Sequence, residues 1–313
     1  MRGKYKKKRP IRYYSFSDYL KNTFNKKVYK ISLNGGMTCP NRDGTKGTRG
    51  CIFCSQGGSG DFADDISLGV DNAIEKAKLR VKNKTNENAF IAYFQSYTNT
   101  YASIEYLSKL FTPVIEREEI VALAIGTRPD CLGEEVIDLI AKLAQIKPIF
   151  IELGLQTIHP QTAEYIRRGY PLEVFDEALE KLKIANVSTV VHLILGLPGE
   201  TQEMMLESVE YLAKRKVDGI KLQLLHVLKN TDLARDYEED KFKTLEKQEY
   251  FELLAKCIRK IPKNTVIHRL TGDAPKSLLI SPVWSANKKD VLNGLHAFLD
   301  EQNVFQGEDL NKL

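Results

Sequence analysis

Three of the chain's five cysteines fall in one short stretch, CPNRDGTKGTRGCIFC, as Cys39-x11-Cys51-x2-Cys54. The chain shows no charged, apolar and small-residue leader of the secretory type, so a cytoplasmic protein is the expectation and thiols so grouped point to metal rather than disulfide. A structural zinc site wants four nitrogen or sulfur ligands, and a distant His159, His192, His226, His268 or His296 would have to supply the fourth. Three thiolates instead suit a cubane iron–sulfur cluster with one iron left without a protein ligand and therefore open to chemistry. Gly, Pro, Asn and Asp residues between Cys39 and Cys51 make that stretch a wrapping loop. Incidental cysteines are the third alternative, against which both spacing and location speak. Cys131 and Cys257 read as small buried residues.

The elements that must position this loop alternate along the chain. Short apolar, β-branched runs at 28–33, 89–95, 120–126, 148–155, 188–195, 219–225 and, more weakly, 265–270 read as buried parallel strands. Helical periodicity fills 71–84, 104–116, 134–145, 172–186, 203–214 and 245–261. Strand followed by helix implies right-handed βαβ units and an α/β fold with a parallel sheet. Six main units fall short of a complete eight-fold barrel, so a partial barrel is expected and a doubly wound sheet is the competing topology. Both place chemistry at the carboxyl ends of the strands, where Asn34-Gly35-Gly36, Ser96-Tyr97-Thr98, Thr127-Arg128-Pro129-Asp130, Gln156-Thr157 and Gly196-Leu197-Pro198-Gly199-Glu200 stand.

Charge is distributed unevenly over the 313 residues. The net charge is +5, yet residues 1–30 carry eleven Lys/Arg against Asp18 alone, which leaves the remainder at −5. Tyr5, Tyr13, Tyr14, Phe16 and Tyr19 interleave with these cations, as in an arm that neutralises phosphates and stacks on bases; a solvated terminus is the plainer alternative. The hydrophobic fraction of 42% and charged fraction of 28% are those of a globular chain. No run is long and apolar enough to span a membrane, so disordered, collagen-like and membrane-spanning classes are excluded.

The three-Cys loop after the first strand, Phe53 before its last Cys, and the later Gly196-Leu-Pro-Gly-Glu-Thr201 resemble the radical S-adenosylmethionine superfamily. The long first gap, Gly126-Thr-Arg-Pro-Asp130 and Glu152-Leu-Gly-Leu-Gln156 look more narrowly like the branch that contains the catalytic subunit of Elongator and its smaller bacterial relatives of the YhcC/YtqA type. The similarity runs from about residue 10 to about residue 275. It implies a partial (β/α)6 barrel with a 4Fe–4S cluster that binds S-adenosylmethionine. Reductive cleavage then gives methionine and a 5′-deoxyadenosyl radical that abstracts hydrogen from substrate. The implied division is a basic arm over 1–27, a radical core over 28–273 and a C-terminal extension over 274–313.

Carried over by position, Cys39, Cys51 and Cys54 match the cluster ligands and Phe53 the aromatic residue near adenine. The family's Gly-Gly-Glu motif for the methionine amino group is replaced by Tyr93-Phe94-Gln95-Ser96-Tyr97, with Gln95 and Ser96 as the substitutes. Thr127 joins the cofactor set from the third strand's end. Gln156 and Arg168 match positions that hold the ribose and the methionine carboxylate, for which a planar guanidinium is suited. Ile194 and Gly196 match the adenine-contacting strand, with His192 where the family often has Gly. Each has a structural alternative: Gln156 as a helix cap, Arg168 as a helix C-terminal cation, Thr127 and Asp130 as turn residues. Tyr97, Tyr101, His192, His226, His268 and Arg269 come from strand ends and could face substrate, although a lone strand His is more often a satisfied core residue.

The Elongator-like branch acts on the wobble uridine of tRNA. The chain ends at Leu313 without an acetyltransferase domain, from which use of acetyl-CoA is not expected. Hydrogen abstraction from an existing carbon-5 substituent is the coherent alternative: a carboxymethylaminomethyl group offers a carbon between amine and carboxylate, and its oxidative loss leaves aminomethyluridine. The partners so implied are tRNA, bound by the basic arm, and an electron donor such as flavodoxin or ferredoxin. A radical enzyme for a small molecule or protein, and a non-catalytic cluster- or zinc-bearing RNA-binding module, stand as alternatives. Trp284 and the helical stretch 291–300 either close the barrel's open side or contact RNA.

Overall fold

The computed structural model describes residues 10–58, 60, 63–65, 69–84 and 88–310. In chain order it contains α1 (Phe16–Phe24), β1 (Tyr29–Asn34), β2 (Asp64–Asp65), α2 (Val70–Val81), β3 (Phe90–Phe94), α3 (Ile104–Glu116), β4 (Ile120–Thr127) and α4 (Glu134–Ala144). There follow β5 (Ile149–Gln156), α5 (Pro160–Tyr165), α6 (Leu172–Ile184), β6 (Ser188–Leu195), α7 (Gln202–Lys214), β7 (Gly219–Leu224), β8 (Val227–Leu228) and α8 (Asp232–Glu238). The chain closes with α9 (Lys247–Lys260), β9 (Val266–Arg269), β10 (Leu279–Ser281) and α10 (Lys288–Glu301).

Eight parallel strands form one sheet in the order β2-β1-β3-β4-β5-β6-β7-β9, while β8 and β10 make a small antiparallel pair. Apart from the two-residue β2, which flanks β1, order in the sheet follows order in the chain from β1 to β9, as in a curled partial barrel. Alternation divides each strand between two environments. Ile31, Leu33, Phe94, Leu123, Ile125, Ile151, Leu153, Val191, Leu193, Ile220 and Leu222 face the helices and make the main core. Lys30, Tyr93, Glu152, His192 and Lys221 face the barrel interior, and small residues such as Ala124 and Gly126 on β4 leave space opposite them.

The basic arm is not wholly an arm. Residues 1–9, including Tyr5 and most of its cations, lie outside the described residues, but α1 fills one end of the barrel. Ser15 caps it by accepting the Asp18 amide at 3.1 Å, and Asn25 ends it with φ of 50°. Phe16, Tyr19, Leu20 and Phe24 lie one helical face apart and join a cluster with Ile91, Tyr93, Ala122, Ala124, Phe150 and Val190. Phe16 stacks on His268 at 4.0 Å, and Tyr19 meets Phe150 edge-on at 5.9 Å. Tyr13 bonds His296 at 3.0 Å, while the Tyr14 amide donates to Gln306 Oε1 at 2.7 Å. The rings of Tyr13, Phe16 and Tyr19 are thus engaged in packing, which corrects their reading as base-stacking groups.

The chain's last part belongs to the same core: Val291, Leu295 and Leu299 are buried in it, and Trp284 donates to the Leu245 carbonyl at 3.1 Å. Three helices absent from the sequence reading are α1, α5 and α8; the last two have six and seven residues, too few to show a period. No helix among the described residues is long and apolar enough to cross a membrane.

Candidate active site

The carboxyl ends of the strands open on a cleft of about 180 Å³ whose rim is the cysteine loop. The Arg42 amide donates to the Cys39 carbonyl at 2.8 Å and the Cys54 amide to that of Cys51 at 3.0 Å, so two tight turns bring the three cysteines to one side. Buried Asn41 donates to the Arg167 carbonyl at 2.6 Å, and Arg42 Nη2 to that of Ser55 at 2.6 Å. Such anchors give an irregular segment one shape. Gly169 is needed beside them: its φ is +80°, and a Cβ there would stand 2.6 Å from Asn41 Oδ1. Burial, reinforced by Cys54, pushes the Cys51 thiol up to about 12. Cys257 is buried and Cys131 half-buried, and neither lines the cleft.

Among the described residues no three Cys, His, Asp or Glu groups converge on a single-ion site. The histidines are engaged elsewhere: His159 with the Met204 carbonyl, His192 with Glu152, His226 with Ser285, His296 with Tyr13, and His268 against Phe16. The zinc alternative therefore finds no fourth ligand, whereas three sulfurs on one rim suit a multi-iron cluster.

Phe53, Gln95, Tyr97, Thr127, Gln156 and Arg168 line the same cleft. Four of these side chains already have partners. Arg168 donates through Nε to the Tyr170 carbonyl at 3.0 Å and through Nη1 to Thr157 at 2.6 Å and Leu155 at 3.2 Å, so it braces the end of β5. Thr127 Oγ1 pairs with Thr100 Oγ1 at 2.6 Å. Gln156 has φ of 64°, and its amide turns back to donate to the Leu155 carbonyl at 2.9 Å. Tyr97 reaches across to the cysteine loop, its hydroxyl donating to the Gln56 carbonyl, with its ring so close to Gly58 that a Cβ there would sit 2.2 Å away.

The structure sets the other residues apart from the lining. Ser96 Oγ is buried without a hydrogen-bond partner among the described residues, directly behind Gly60. Ile194 packs with Phe53 in a smaller apolar cluster beside the rim, and Gly196, with φ of +89°, turns the chain out of β6. His226 sits at Ser285 and His268 under α1, neither in the cleft. Tyr101 is tied to Thr45 at 2.9 Å on the outer side of the loop. His192 and Arg269 do reach the cleft, at its floor.

That floor carries groups the sequence did not single out. Glu152, with no side-chain exposure, receives Lys30 Nζ at 2.6 Å, His192 Nε2 at 3.0 Å and a short contact from Lys221 Nζ. Lys221 also stands 3.4 Å from the Tyr93 hydroxyl. Burial opposes the Glu152 charge, but Lys221, Lys30 and the His192 hydrogen bond hold its carboxyl well below the usual range. Burial works to lower the Lys221 ammonium from the usual lysine range while its ion pair with Glu152 opposes this, and burial with the Lys221 charge takes His192 down to about 4, so His192 is neutral. Arg128 was likewise missed: it forks onto Asp130 at 2.9 and 2.8 Å and donates to the Arg168 carbonyl at 2.9 Å, placing positive charge beside the cysteine rim.

A family model described as the Radical SAM superfamily matches residues 43–212, and one described as the Radical_SAM C-terminal domain matches residues 217–301. YtqA of Bacillus subtilis is 39% identical over 302 residues, covering 96% of this chain and 94% of its own length. The tRNA uridine(34) acetyltransferase of Methanocaldococcus jannaschii is 29% identical over 170 residues, which is 53% of this chain and 31% of that protein. Among solved structures, archaeal Elp3 of Methanocaldococcus infernus superposes with a TM-score of 0.67 at 20% identity over 89% of this chain. The chain spans 64% of that solved chain, less than two thirds. With the cysteine rim, the curled sheet and these matches together, the chain belongs to the radical S-adenosylmethionine superfamily, whose members use a 4Fe–4S cluster and S-adenosylmethionine.

Proposed function

We propose that this chain abstracts hydrogen from a carbon-5 side chain of a tRNA wobble uridine, with a carboxymethylaminomethyl group converted to aminomethyl as the specific reaction. The carbon between amine and carboxylate loses a hydrogen atom and one further electron, S-adenosylmethionine being the net two-electron oxidant, and hydrolysis of the resulting imine breaks the carbon–nitrogen bond, releases glyoxylate and leaves the amine. The cluster and S-adenosylmethionine, when bound, supply the hydrogen-abstracting radical after transfer of one electron from a donor such as flavodoxin or ferredoxin. Cys39, Cys51 and Cys54 hold the cluster; three sulfurs on one rim with no carboxylate or imidazole among them are the donor set such a cluster takes. Phe53, with Ile194 packed in the cluster beside it, offers the apolar surface for adenine, and Gln95 at the end of β3 offers an oxygen to the methionine amino group. Arg128, beside the rim, adds a guanidinium to that end of the cleft. Enclosure by the sheet keeps water from the reacting carbon, which the flanking amine and carboxylate stabilise as a radical.

One structural observation carries the nucleic-acid reading. Between β1 and β9 lies a second opening, of about 800 Å³, whose lining combines apolar residues such as Phe16, Leu20 and Leu270 with Lys21, Lys26, Lys27, Lys30, Arg269 and Lys288. Arg269 and the neighbourhood of Lys30 connect it to the floor of the first cleft. A basic opening that leads to a reaction site is what a single extruded nucleotide of a polyanion requires. The similarity to tRNA uridine(34) acetyltransferase supports the same reading. The test is anaerobic reconstitution with iron, sulfide and reductant, followed by assay for 5′-deoxyadenosine with and without tRNA. Stimulation by tRNA taken from a strain lacking the gene, but not by tRNA already processed, is the expected result. Equal 5′-deoxyadenosine in all samples would turn the reading toward a small-molecule or protein substrate.

A further inference from the structure

The floor of the cleft carries more positive charge than it neutralises. Lys30, Lys221 and Arg269 gather there, and among the described lining residues Glu152 is the one carboxylate that faces them. Neutral His192 adds no charge. Lys30 and Lys221 both bind Glu152, whereas the Arg269 guanidinium has no hydrogen bond to a described residue. Asp273 stands 3.8 Å from Arg269 and is itself held by Lys288 at 2.7 Å. Register sets the three side chains in a row, neutral His192 opposite Lys221 and Lys221 opposite Arg269. Small residues in the wall, Gly126 and Gly154, leave the space above them open. A guanidinium set beside two cations and faced only by Asp273 at 3.8 Å is favoured by an anion that offers it direct hydrogen bonds.

We propose that Arg269 and Lys221 form an anion subsite that receives a carboxylate of the substrate, with Glu152 and His192 positioning Lys221. The assignment deepens the proposed function and rests on it in one respect, since that reading supplies a substrate whose reacting carbon carries a carboxylate. A planar guanidinium presents two parallel N–H donors to a planar carboxylate, with the ammonium as a second point of attachment. The phosphates of an RNA chain meet Lys21, Lys26 and Lys27 at the outer margin of the side opening instead. Fixing the carboxylate fixes the adjoining carbon at one height beneath the rim, and positional control of that kind makes hydrogen abstraction selective.

The test uses anaerobic holoenzyme saturated with S-adenosylmethionine, so that the position of the methionine carboxylate is filled. Phenylglyoxal labels accessible arginines; peptide mass spectrometry follows Arg269, 29% exposed, against the reference Arg235, 68% exposed. N-Methylglycine is expected to slow labelling of Arg269 saturably and leave Arg235 unchanged, while N-methylglycinamide has no such effect and inorganic phosphate a weaker one. Lys221→Met weakens the protection about tenfold or more, the value of a charge-assisted hydrogen bond. If that variant does not fold, the competition on the parent protein decides alone. Equal protection by the amide, stronger protection by phosphate, or none by the carboxylate overturns the subsite. Parallel binding of tRNA separates the two claims. Protection without tRNA binding removes the RNA reading and leaves the subsite; tRNA binding without protection removes the subsite alone.

Discussion

Glu152 shows how much of this site depends on single side chains meeting at a distance. Its carboxylate is excluded from water and is kept charged by Lys221, Lys30 and His192, which come from three other strands. Replacing Lys221 by Met removes the closest cation and leaves a buried charge poorly answered, a change that costs about 3–5 kcal/mol. Urea unfolding of Lys221→Met beside the parent checks this, and the double variant Glu152→Gln/Lys221→Met is expected to recover part of the loss. A single variant as stable as the parent would contradict the account. The cysteines were legible because their spacing is local. Glu152 was named only as part of the motif Glu152-Leu-Gly-Leu-Gln156 and Lys221 only as part of a strand, and their pairing across 69 residues appears once the sheet curls them together. Arg168 was legible by position, yet its guanidinium is used mainly on backbone carbonyls.

At the scale of elements, the strands and long helices were readable because their apolar periods are uninterrupted, as in Ser188–Leu195 and Ile104–Glu116. α1 was not, because Lys21, Lys26 and Lys27 made its segment look like an extension of the basic terminus. The face Phe16-Tyr19-Leu20-Phe24 is apolar at helical spacing, and the barrel interior gives it somewhere to bind. The helix therefore contributes to stability as well as charge. Leu20→Ala is expected to destabilise by about 2–5 kcal/mol, as for other large-to-small core changes, and to expose Tyr93 to solvent. Denaturant midpoints and acrylamide quenching of tyrosine fluorescence measure both. No loss of stability would show that α1 is only docked loosely on the sheet.

For the whole molecule, the same curvature that buries an apolar face under the helices turns a polar face inward, and the three cysteines close one mouth of that interior. Chain order predicted the barrel correctly, since sequential parallel strands have few other solutions, but charge composition located the basic surface too broadly. Its described part lies along the side opening at Lys21, Lys26, Lys27 and Lys288, where it meets the path to Arg269. A polyanion held at that margin can place one extruded base inside, whereas a small metabolite has no use for it. The central claim is that tRNA is the substrate, and the most direct measurement is mass spectrometry of nucleosides from bulk tRNA of a strain lacking this gene, beside its parent. The account predicts accumulation of carboxymethylaminomethyluridine at the expense of the aminomethyl derivative. An unchanged nucleoside profile across growth conditions would contradict it.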